Sequence, residues 1–262
     1  MLTCCVNMII RWYIPVLPGE IVLTFGLKWS KISLLKLKKE NITSMLLYIV
    51  RHGQSNGNTG ADDTLDPVLS AVGEKQAALL GESLSDVKFD AIFASTLVRS
   101  IQTASAVALR QPGGPAPVEV LAELVECGTT PGWKGRSKEE FLEIYPHLIL
   151  TDESVPSDPV PWEDESEEFE HIARGYRAIS YLKHRFDPYS DKKILVVAHG
   201  GFNQKLLAGA MGWGNSAKVI YSQRNTCINL IQYFREKNGE PRVRLCYTND
   251  VTHLLNKDCP IT

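Results

Sequence analysis

The sequence predicts an α/β fold in which a mostly parallel central sheet lies between two layers of helices. Two uninterrupted apolar runs, residues 46–50 and 194–198, have the composition of strands that are buried on both faces. Segments with the apolar spacing of helices alternate with further short apolar runs along most of the chain. The 262 residues, 44% of them hydrophobic, suffice for one sizeable core. We therefore expect a three-layer α/β/α sandwich.

The first 44 residues differ in composition from the rest of the chain. They hold six basic and two acidic residues, and Arg11, Pro15 and Pro18 interrupt their apolar runs. None of these runs reaches the ~20 residues that span a bilayer, and a secretory signal is not recognisable. We expect a poorly ordered basic leader over residues 1–44, with one domain over residues 45–262. The alternative is a basic amphipathic helix near residues 27–39 that targets an organelle or a membrane surface.

The first half of the domain alternates strands and helices. After the strand at 46–50, Ser70 is placed to cap a helix that runs to about residue 85. A short strand is predicted at 90–94, followed by a helix over 96–109 with apolar residues three and four apart. The glycine- and proline-rich stretch 111–115 ends that helix before a third strand at 118–121.

The second half of the domain begins with an insertion. Residues 128–162 are rich in proline and have no strong period, which predicts an irregular lid over the edge of the sheet. A clear amphipathic helix follows over 169–186, and then the strand at 194–198 and a helix over about 202–211. Strands near 226–234 and 241–247 complete the domain.

The composition argues against several classes of partner and cofactor. A net charge of −2 gives no overall basic field, so nucleic acid is not expected as a partner. The six cysteines form no C-x-x-C pair and the six histidines no H-x-x-x-H pair, so no zinc site is predicted. We expect reduced thiols, a cytoplasmic location, and neither a metal nor another cofactor. The sequence leaves the oligomeric state open.

Charged side chains follow three predicted strands at or near the point where each strand ends. Arg51 and His52 follow the strand at 46–50, His199 follows the strand at 194–198, and Arg99 lies shortly after the strand at 90–94. Functional groups of open α/β sheets collect beyond the carboxyl ends of the strands, so we expect these four side chains to meet. Guanidinium groups match phosphate oxygens, and Arg99 lies in the first turn of a helix, where N–H groups favour an anion. The sequence predicts a pocket for one phosphoryl group.

The arginine beside His52 indicates which chemistry the histidine performs. A neighbouring cation disfavours imidazolium, so His52 is better suited to act as a neutral nucleophile than as a general base. Gly53 is expected to let the backbone approach the bound group. Phosphoryl transfer needs mainly positioning and charge stabilisation, and two arginines with two histidines supply both without a metal.

Four motifs resemble those of the histidine phosphatase superfamily, which contains the cofactor-dependent phosphoglycerate mutases. They are Arg51-His52-Gly53-Gln54-Ser55 with Asn58, residues 66–70 with Gly73 and Gln76, residues 95–104, and Ala198-His199-Gly200-Gly201. The resemblance runs from about residue 46 to residue 253 and leaves out the leader. It implies a phosphoglycerate mutase-like fold and a histidine phosphatase-like catalytic domain over residues 45–262.

The resemblance also implies catalytic roles. His52 is expected to take the phosphoryl group as a covalent phosphohistidine, while Arg51, Arg99 and His199 hold its oxygens. A carboxylic acid then protonates the leaving oxygen.

The acid and the substrate contacts are less sharply marked by the motifs. Glu126 matches the family's Leu-x-Glu before a Gly-x-Trp-x-Gly stretch, with a spacing that departs by about one residue. Glu123 also fits Leu-x-Glu and stays the alternative acid. Ser55, Asn58 and Gly200 are expected to bind substrate, with turn formation as the alternative for Ser55 and Asn58.

The activity that the resemblance implies is hydrolysis of a small phosphorylated substrate by a metal-independent phosphomonoesterase of the histidine acid phosphatase type. A phosphoglycerate mutase-type isomerase and a catalytically silent module that binds phosphate esters or proteins are the alternatives. Residue 57 is glycine where the mutases carry tryptophan, and the loop at 59–63 lacks their Phe-Cys-Gly-Trp-like segment, which favours a phosphatase. All the expected catalytic groups are present, which argues against a silent module. The substrate itself stays open.

Overall fold

The structure is a computed structural model that describes residues 43–128, 135–150, 155, 168–213 and 222–262. The predicted leader lies almost wholly outside these residues, so the leader and the domain boundaries stay predictions. Within the described ranges, no helix is long and apolar enough to cross a membrane.

The described residues form one sheet of seven strands. The strands are β1 (Ser44–Arg51), β2 (Ala91–Ala94), β3 (Val118–Val120), β4 (Leu148–Ile149), β5 (Lys193–Ala198), β6 (Ile228–Arg235) and β7 (Pro241–Asp250). Their order is β4-β3-β2-β5-β1-β6-β7. The neighbours from β4 to β1 pair in parallel, whereas β6 and β7 are added by antiparallel pairing. The prediction of a mostly parallel central sheet is confirmed.

The helices connect and cover these strands. They are α1 (Asn56–Thr59), α2 (Ala71–Ser83), α3 (Val98–Ala108), α4 (Lys138–Ile144), α5 (Glu168–Phe186) and α6 (Gly200–Met211). Short 3₁₀ helices span Ala122–Leu124 and Thr252–Leu254. The four helices that the sequence predicts, α2, α3, α5 and α6, begin and end within about two residues of their predicted bounds.

The alternating side chains of β1 contribute to two separate cores. Met45, Leu47 and Ile49 pack on one face with residues of α5 and α6, while Tyr48 and Val50 pack on the other with residues of α2 and α3. A strand points successive side chains to opposite faces, so a strand that is covered on both faces must be apolar throughout. The three layers predicted from the apolar runs are confirmed.

Two glycines hold the loop after β1 against α2. A Cβ atom on Gly53 would lie 2.6 Å from the carbonyl oxygen of Gly73, and one on Gly73 would lie 1.9 Å from that of Gln54. Ser70 caps α2 as predicted, because its Oγ accepts a hydrogen bond from the Gly73 N–H at 3.1 Å. Gly53 therefore makes room for the backbone of Gly73, and its predicted close approach to a bound group stays a prediction.

Part of the predicted irregular insertion has regular structure. The N-cap of α4 is Ser137, whose Oγ accepts from the Glu140 N–H while the Glu140 carboxylate accepts from the Ser137 N–H. The strand β4 pairs with β3 at the edge of the sheet. The expectation of irregular structure is therefore wrong for these two elements, and the Ser-x-x-Glu pattern was a readable signal for α4. Much of the insertion lies outside the described residues, and its role as a lid stays a prediction.

Candidate active site

Parallel strand pairing brings the four predicted charged side chains to one edge of the sheet. The last residue of β1, Arg51, lies opposite the last residue of β5, so His52 and His199 follow adjacent strand ends. The centroids of the two imidazole rings are 5.1 Å apart. On the other side of β5, the strand β2 leads into α3, where the Nε of Arg99 lies 3.3 Å from the Nε2 of His52.

The backbone around His52 determines which ring nitrogen carries the proton. The Nδ1 of His52 lies 2.6 Å from the carbonyl oxygen of Gly53, which can only accept, so Nδ1 donates. The lone pair of Nε2 then accepts a hydrogen bond from Arg99 Nε, which a bound phosphoryl group would have to replace. The His52 carbonyl accepts a hydrogen bond from the side-chain amide of Asn225 at 2.9 Å, and the Gly53 N–H donates to Thr103 Oγ1 at 3.0 Å. These contacts fix the ring and the loop that carries it.

Both imidazoles are held in the neutral form. His52 and His199 are almost completely buried. Burial lowers the pKa of each histidine well below its usual range, and the charge of Arg99 lowers both pKa values further. The neutral state is the one that a nucleophilic imidazole requires.

Arg51 is anchored by backbone rather than by a carboxylate. Its Nη1 donates to the carbonyl oxygen of Gln223 at 2.5 Å. Its Nε lies beside Gly200, where a Cβ atom would be only 3.3 Å away. Gly200 therefore makes room for the guanidinium, and its predicted contact with substrate stays a prediction.

Three buried nitrogen atoms of these side chains have no hydrogen-bond partner among the described residues. They are Arg51 Nε, Arg99 Nη1 and His199 Nδ1. Ser95 Oγ and His199 Nε2 lie 2.6 Å apart and share one hydrogen bond; when Ser95 is its donor, the proton of the neutral His199 ring lies on Nδ1. Buried polar groups are almost always paired, so unpaired guanidinium donors of Arg51 and Arg99 beside the two histidines indicate a site for an anion with several acceptor oxygens.

Asp66 sets the position of Arg99. Its Oδ1 accepts from the Val98 N–H at 2.8 Å and lies 3.9 Å from Arg99 Nη1, while its Oδ2 lies 3.6 Å from Arg136 Nε. Burial raises the pKa of Asp66, and the Val98 hydrogen bond and both arginines counteract that rise. The first turn of α3, which we expected to favour a bound anion directly, instead holds this carboxylate.

The side chain of Glu126 lies against the N-terminus of α6, the helix that begins directly after His199. Its Oε1 accepts from the N–H groups of Cys127 at 2.9 Å and Phe202 at 2.8 Å, and its Oε2 accepts from that of Gly201 at 3.2 Å. A Cβ atom on Gly201 would lie 2.8 Å from Oε1, so glycine is needed for this contact. The backbone of α6 thus fixes the orientation of the Glu126 carboxylate.

The alternative acid, Glu123, faces away from this group. It is exposed and forms a surface ion pair with Arg177 of α5, with 3.4 Å between the closest charged atoms. The structure therefore brings Glu126, and not Glu123, beside the turn that carries His199.

Ser55 and Asn58 bind one another. Ser55 Oγ accepts from the Asn58 N–H at 3.2 Å, and Asn58 Oδ1 accepts from the Ser55 N–H at 3.1 Å, so the two residues cap the single turn of α1. Their turn-forming role is present in the structure. Contact of either residue with substrate stays a prediction.

The turn before β6 contributes residues that no sequence motif marked. Gln223 binds Arg51, Asn225 binds the His52 carbonyl, and the Thr226 N–H donates to the Arg51 carbonyl at 3.0 Å. They reach the site because β6 pairs antiparallel with β1, so that the start of β6 lies beside the end of β1. Nothing in the local sequence of residues 223–226 indicates that pairing.

A metal centre has no candidate in the part of the chain that the structure describes. No group of three His, Cys, Asp or Glu side chains in these residues could hold an ion.

The fold and the site together define an α/β protein in which two arginines and two histidines collect at the carboxyl edge of the sheet. A sequence model of the histidine phosphatase superfamily (branch 1) matches residues 47–245. The chain belongs to this superfamily.

Curated relatives include several phosphatases. The chain is 28% identical over 221 residues to the probable 2-carboxy-D-arabinitol-1-phosphatase of Arabidopsis thaliana, a match that covers 78% of this chain and 41% of the relative. It is 27% identical over 210 residues to the putative phosphoserine phosphatase 2 of Hydrogenobacter thermophilus, which covers 79% of this chain and 98% of the relative. The chain thus spans well under half of the Arabidopsis protein, and 38% of the wheat 2-carboxy-D-arabinitol-1-phosphatase.

Solved structures with the same architecture support the predicted phosphoglycerate mutase-like fold. A phosphoserine phosphatase of Entamoeba histolytica, solved in complex with 3-phosphoglyceric acid, superposes with a TM-score of 0.54 at 21% identity over 80% of this chain and 100% of the other. The YhfR protein of Bacillus stearothermophilus superposes with a TM-score of 0.53 at 24% identity over 80% of this chain and 98% of the other. These likenesses confirm the fold class.

The neutral histidines predict how the stability of the fold depends on pH. The unfolded chain takes up protons on these imidazoles near pH ~6.5, whereas folded His52 and His199 stay neutral, so the free energy of unfolding falls as the pH drops below about 6.5. Urea unfolding at about pH 7.5 and about pH 5.5 measures the loss. Between these two pH values, the free energy of unfolding of a His52→Gln/His199→Gln variant should fall by less than that of the wild type. An equal fall in both proteins would contradict the lowered pKa values of the two histidines.

Proposed function

We propose that the protein is a metal-independent phosphomonoesterase of the histidine acid phosphatase type that acts on a small phosphorylated substrate through a covalent phosphohistidine. The observation that carries the proposal is the neutral, buried Nε2 of His52 beside Arg99, together with the unpartnered buried nitrogens Arg51 Nε, Arg99 Nη1 and His199 Nδ1 of the neighbouring side chains. This arrangement offers a nucleophile and a clamp for the oxygens of one phosphoryl group.

Binding is the first step that the geometry supports. The phosphoryl oxygens accept hydrogen bonds from Arg51 Nε, Arg99 Nη1 and His199 Nδ1, whose burial strengthens each interaction. The phosphorus atom is then held in front of His52 Nε2, which needs no deprotonation before it attacks.

Transfer to His52 is the second step. The Nε2 lone pair forms the N–P bond while the ester P–O bond breaks, and the contact of Nδ1–H with the Gly53 carbonyl stabilises the positive charge that develops on the ring. Glu126 gives its proton to the leaving oxygen. Water then attacks the phosphohistidine, the N–P bond breaks, His52 leaves as the neutral imidazole, and the dihydrogen phosphate that forms returns one proton to Glu126.

Relatives suggest where a substrate search should begin. Their names refer to phosphoserine and 2-carboxy-D-arabinitol 1-phosphate, both of which carry a carboxylate in addition to the phosphate ester. We include small phosphorylated acids of this kind in the proposal.

A hydrolysis screen tests the proposed activity. The panel comprises phosphoserine, 2-carboxy-D-arabinitol 1-phosphate, 3-phosphoglycerate, sugar phosphates and nucleotides, with phosphate release and product identity both measured. Conversion of 3-phosphoglycerate to its 2-phospho isomer would favour a mutase. Binding without turnover of any compound would favour a silent module.

His52→Ala is expected to abolish turnover, because no other group at the site can form the covalent intermediate. Brief incubation with ³²P-labelled substrate should label the wild type with an acid-labile, base-stable phosphate and leave the variant unlabelled. Circular dichroism checks that the variant is folded. A folded variant that keeps more than about a tenth of the wild-type rate removes His52 from the nucleophile role.

Chelation is expected to leave the rate unchanged, because arginine and histidine donors neutralise the transferring phosphoryl group in place of a cation. The rate is measured after exhaustive dialysis against EDTA and again after addition of Mg²⁺ or Zn²⁺. A loss that either ion restores contradicts the proposed mechanism.

Glu126→Gln is expected to slow hydrolysis of alkyl phosphates by about 10²-fold or more, because their basic leaving oxygens need a proton. It should hardly affect p-nitrophenyl phosphate, whose leaving group needs little protonation. Glu123→Gln is the matched control and should leave both rates alone. A leaving-group dependence that appears with Glu123→Gln instead moves the acid to that residue.

A further inference from the structure

The segment that carries Glu126 has little regular structure of its own. Between the end of β3 and residue 128 the described chain contains only the single 3₁₀ turn Ala122–Leu124. The carboxylate of Glu126 is fixed by α6, but its main chain needs a separate support. A general acid must keep its orientation to within a fraction of an ångström, so this support matters for the reaction.

The guanidinium of Arg174, on α5, supports this segment by hydrogen bonds to its main chain. Its Nη1 donates to the Val125 carbonyl at 2.6 Å and to the Glu123 carbonyl at 3.0 Å, and its Nη2 lies 3.5 Å from the Glu126 carbonyl. One guanidinium thus contacts three carbonyl groups within the four residues 123–126. A planar fork of donors suits three such acceptors, whereas the single ammonium of lysine does not.

The same guanidinium contacts the residue that binds the carboxylate. The Cζ of Arg174 lies 4.1 Å from the centroid of the Phe202 ring, and the Phe202 N–H donates to Glu126 Oε1. Arg174 is therefore linked to Glu126 by two routes: through its main chain and through the amide that orients its side chain.

The packing of α5 on α6 makes this placement possible. At Gly175 a Cβ atom would lie 2.6 Å from the Lys205 carbonyl oxygen, so the two helices approach closely beside Arg174. Arg174 is 2% exposed. A buried guanidinium is costly unless its donors are well paired, which indicates that the position serves more than packing.

We propose that Arg174 is a positioning residue that holds Glu126 in the orientation from which it protonates the leaving oxygen. The proposal rests on the proposed function and on Glu126 as the acid. Arg174 does not itself touch the reacting atoms, so loss of its planar fork with its charge kept should slow only those reactions in which leaving-group protonation limits the rate.

Arg174→Lys tests the proposal, because it keeps a positive charge and loses the planar fork. We expect kcat for an alkyl phosphate to fall about tenfold or more, with KM little changed and kcat for p-nitrophenyl phosphate within about twofold of wild type. Arg177→Lys, on the exposed face of the same helix, is the matched control and should leave both substrates unaffected. A merely structural role would slow both substrates alike, and that result overturns the proposal.

Phe202→Leu provides a second variant if Arg174→Lys does not fold. It removes the ring under the guanidinium and keeps the N–H that binds Glu126, so it should give a smaller loss of the same leaving-group dependence. Absence of any such dependence in folded Phe202→Leu also overturns the proposal.

Glu126→Gln separates failure of this proposal from failure of the proposed function. In a Glu126→Gln background, Arg174→Lys should add no further leaving-group dependence, because both changes act on one proton transfer. If Glu126→Gln alone shows no dependence, the assignment of the acid is wrong. If it does and folded Arg174→Lys does not, the positioning role of Arg174 is wrong.

Discussion

Burial of the neutral His52 ring beside two guanidinium groups is the constraint on which the rest of the site depends. The two cations and the loss of water both hold the imidazole in its uncharged form. Such a cluster is stable only if the loop after β1 cannot relax outward. The close contact of Gly53 with Gly73, and the hydrogen bonds to Thr103 and Asn225, prevent that movement. The electrostatics of the site are therefore a consequence of backbone packing.

The way in which the arginines are anchored preserves their charge for a bound anion. Arg51 donates to a backbone carbonyl of Gln223, which satisfies a donor but carries no net negative charge. Asp66 approaches Arg99 only to 3.9 Å, and shares its carboxylate with the start of α3 and with Arg136. A tightly paired carboxylate on each arginine would have cancelled the field that a phosphoryl group needs. The arrangement orients both guanidinium groups and leaves donors at the position facing His52.

The sequence predicts those parts of the molecule whose signal is local. The runs that form β1 and β5 are apolar because both faces of each strand are covered. His52 and His199 are recognisable in the sequence because they follow these apolar runs. Gln223 and Asn225 were not predictable, because they reach the site through the antiparallel pairing of β6 with β1. Arg174 was hidden for a similar reason: on an amphipathic helix it has the appearance of a solvated charge, and only the crossing of α5 and α6 buries it. The missed helix α4 is different, since its capping box was present in the sequence.

The two groups proposed to act on opposite sides of the phosphoryl group are anchored in opposite layers of the fold. His52 belongs to a loop that packs against α2, whereas Glu126 is held by the N-terminus of α6 and by Arg174 of α5. The sheet edge is where these two layers meet, so the distance between nucleophile and acid depends on how both helical layers pack on β1 and β5. The segment carrying Glu126 also leads directly into the insertion at 128–162. His52, by contrast, is held by Gly73, Thr103 and Asn225 independently of that segment.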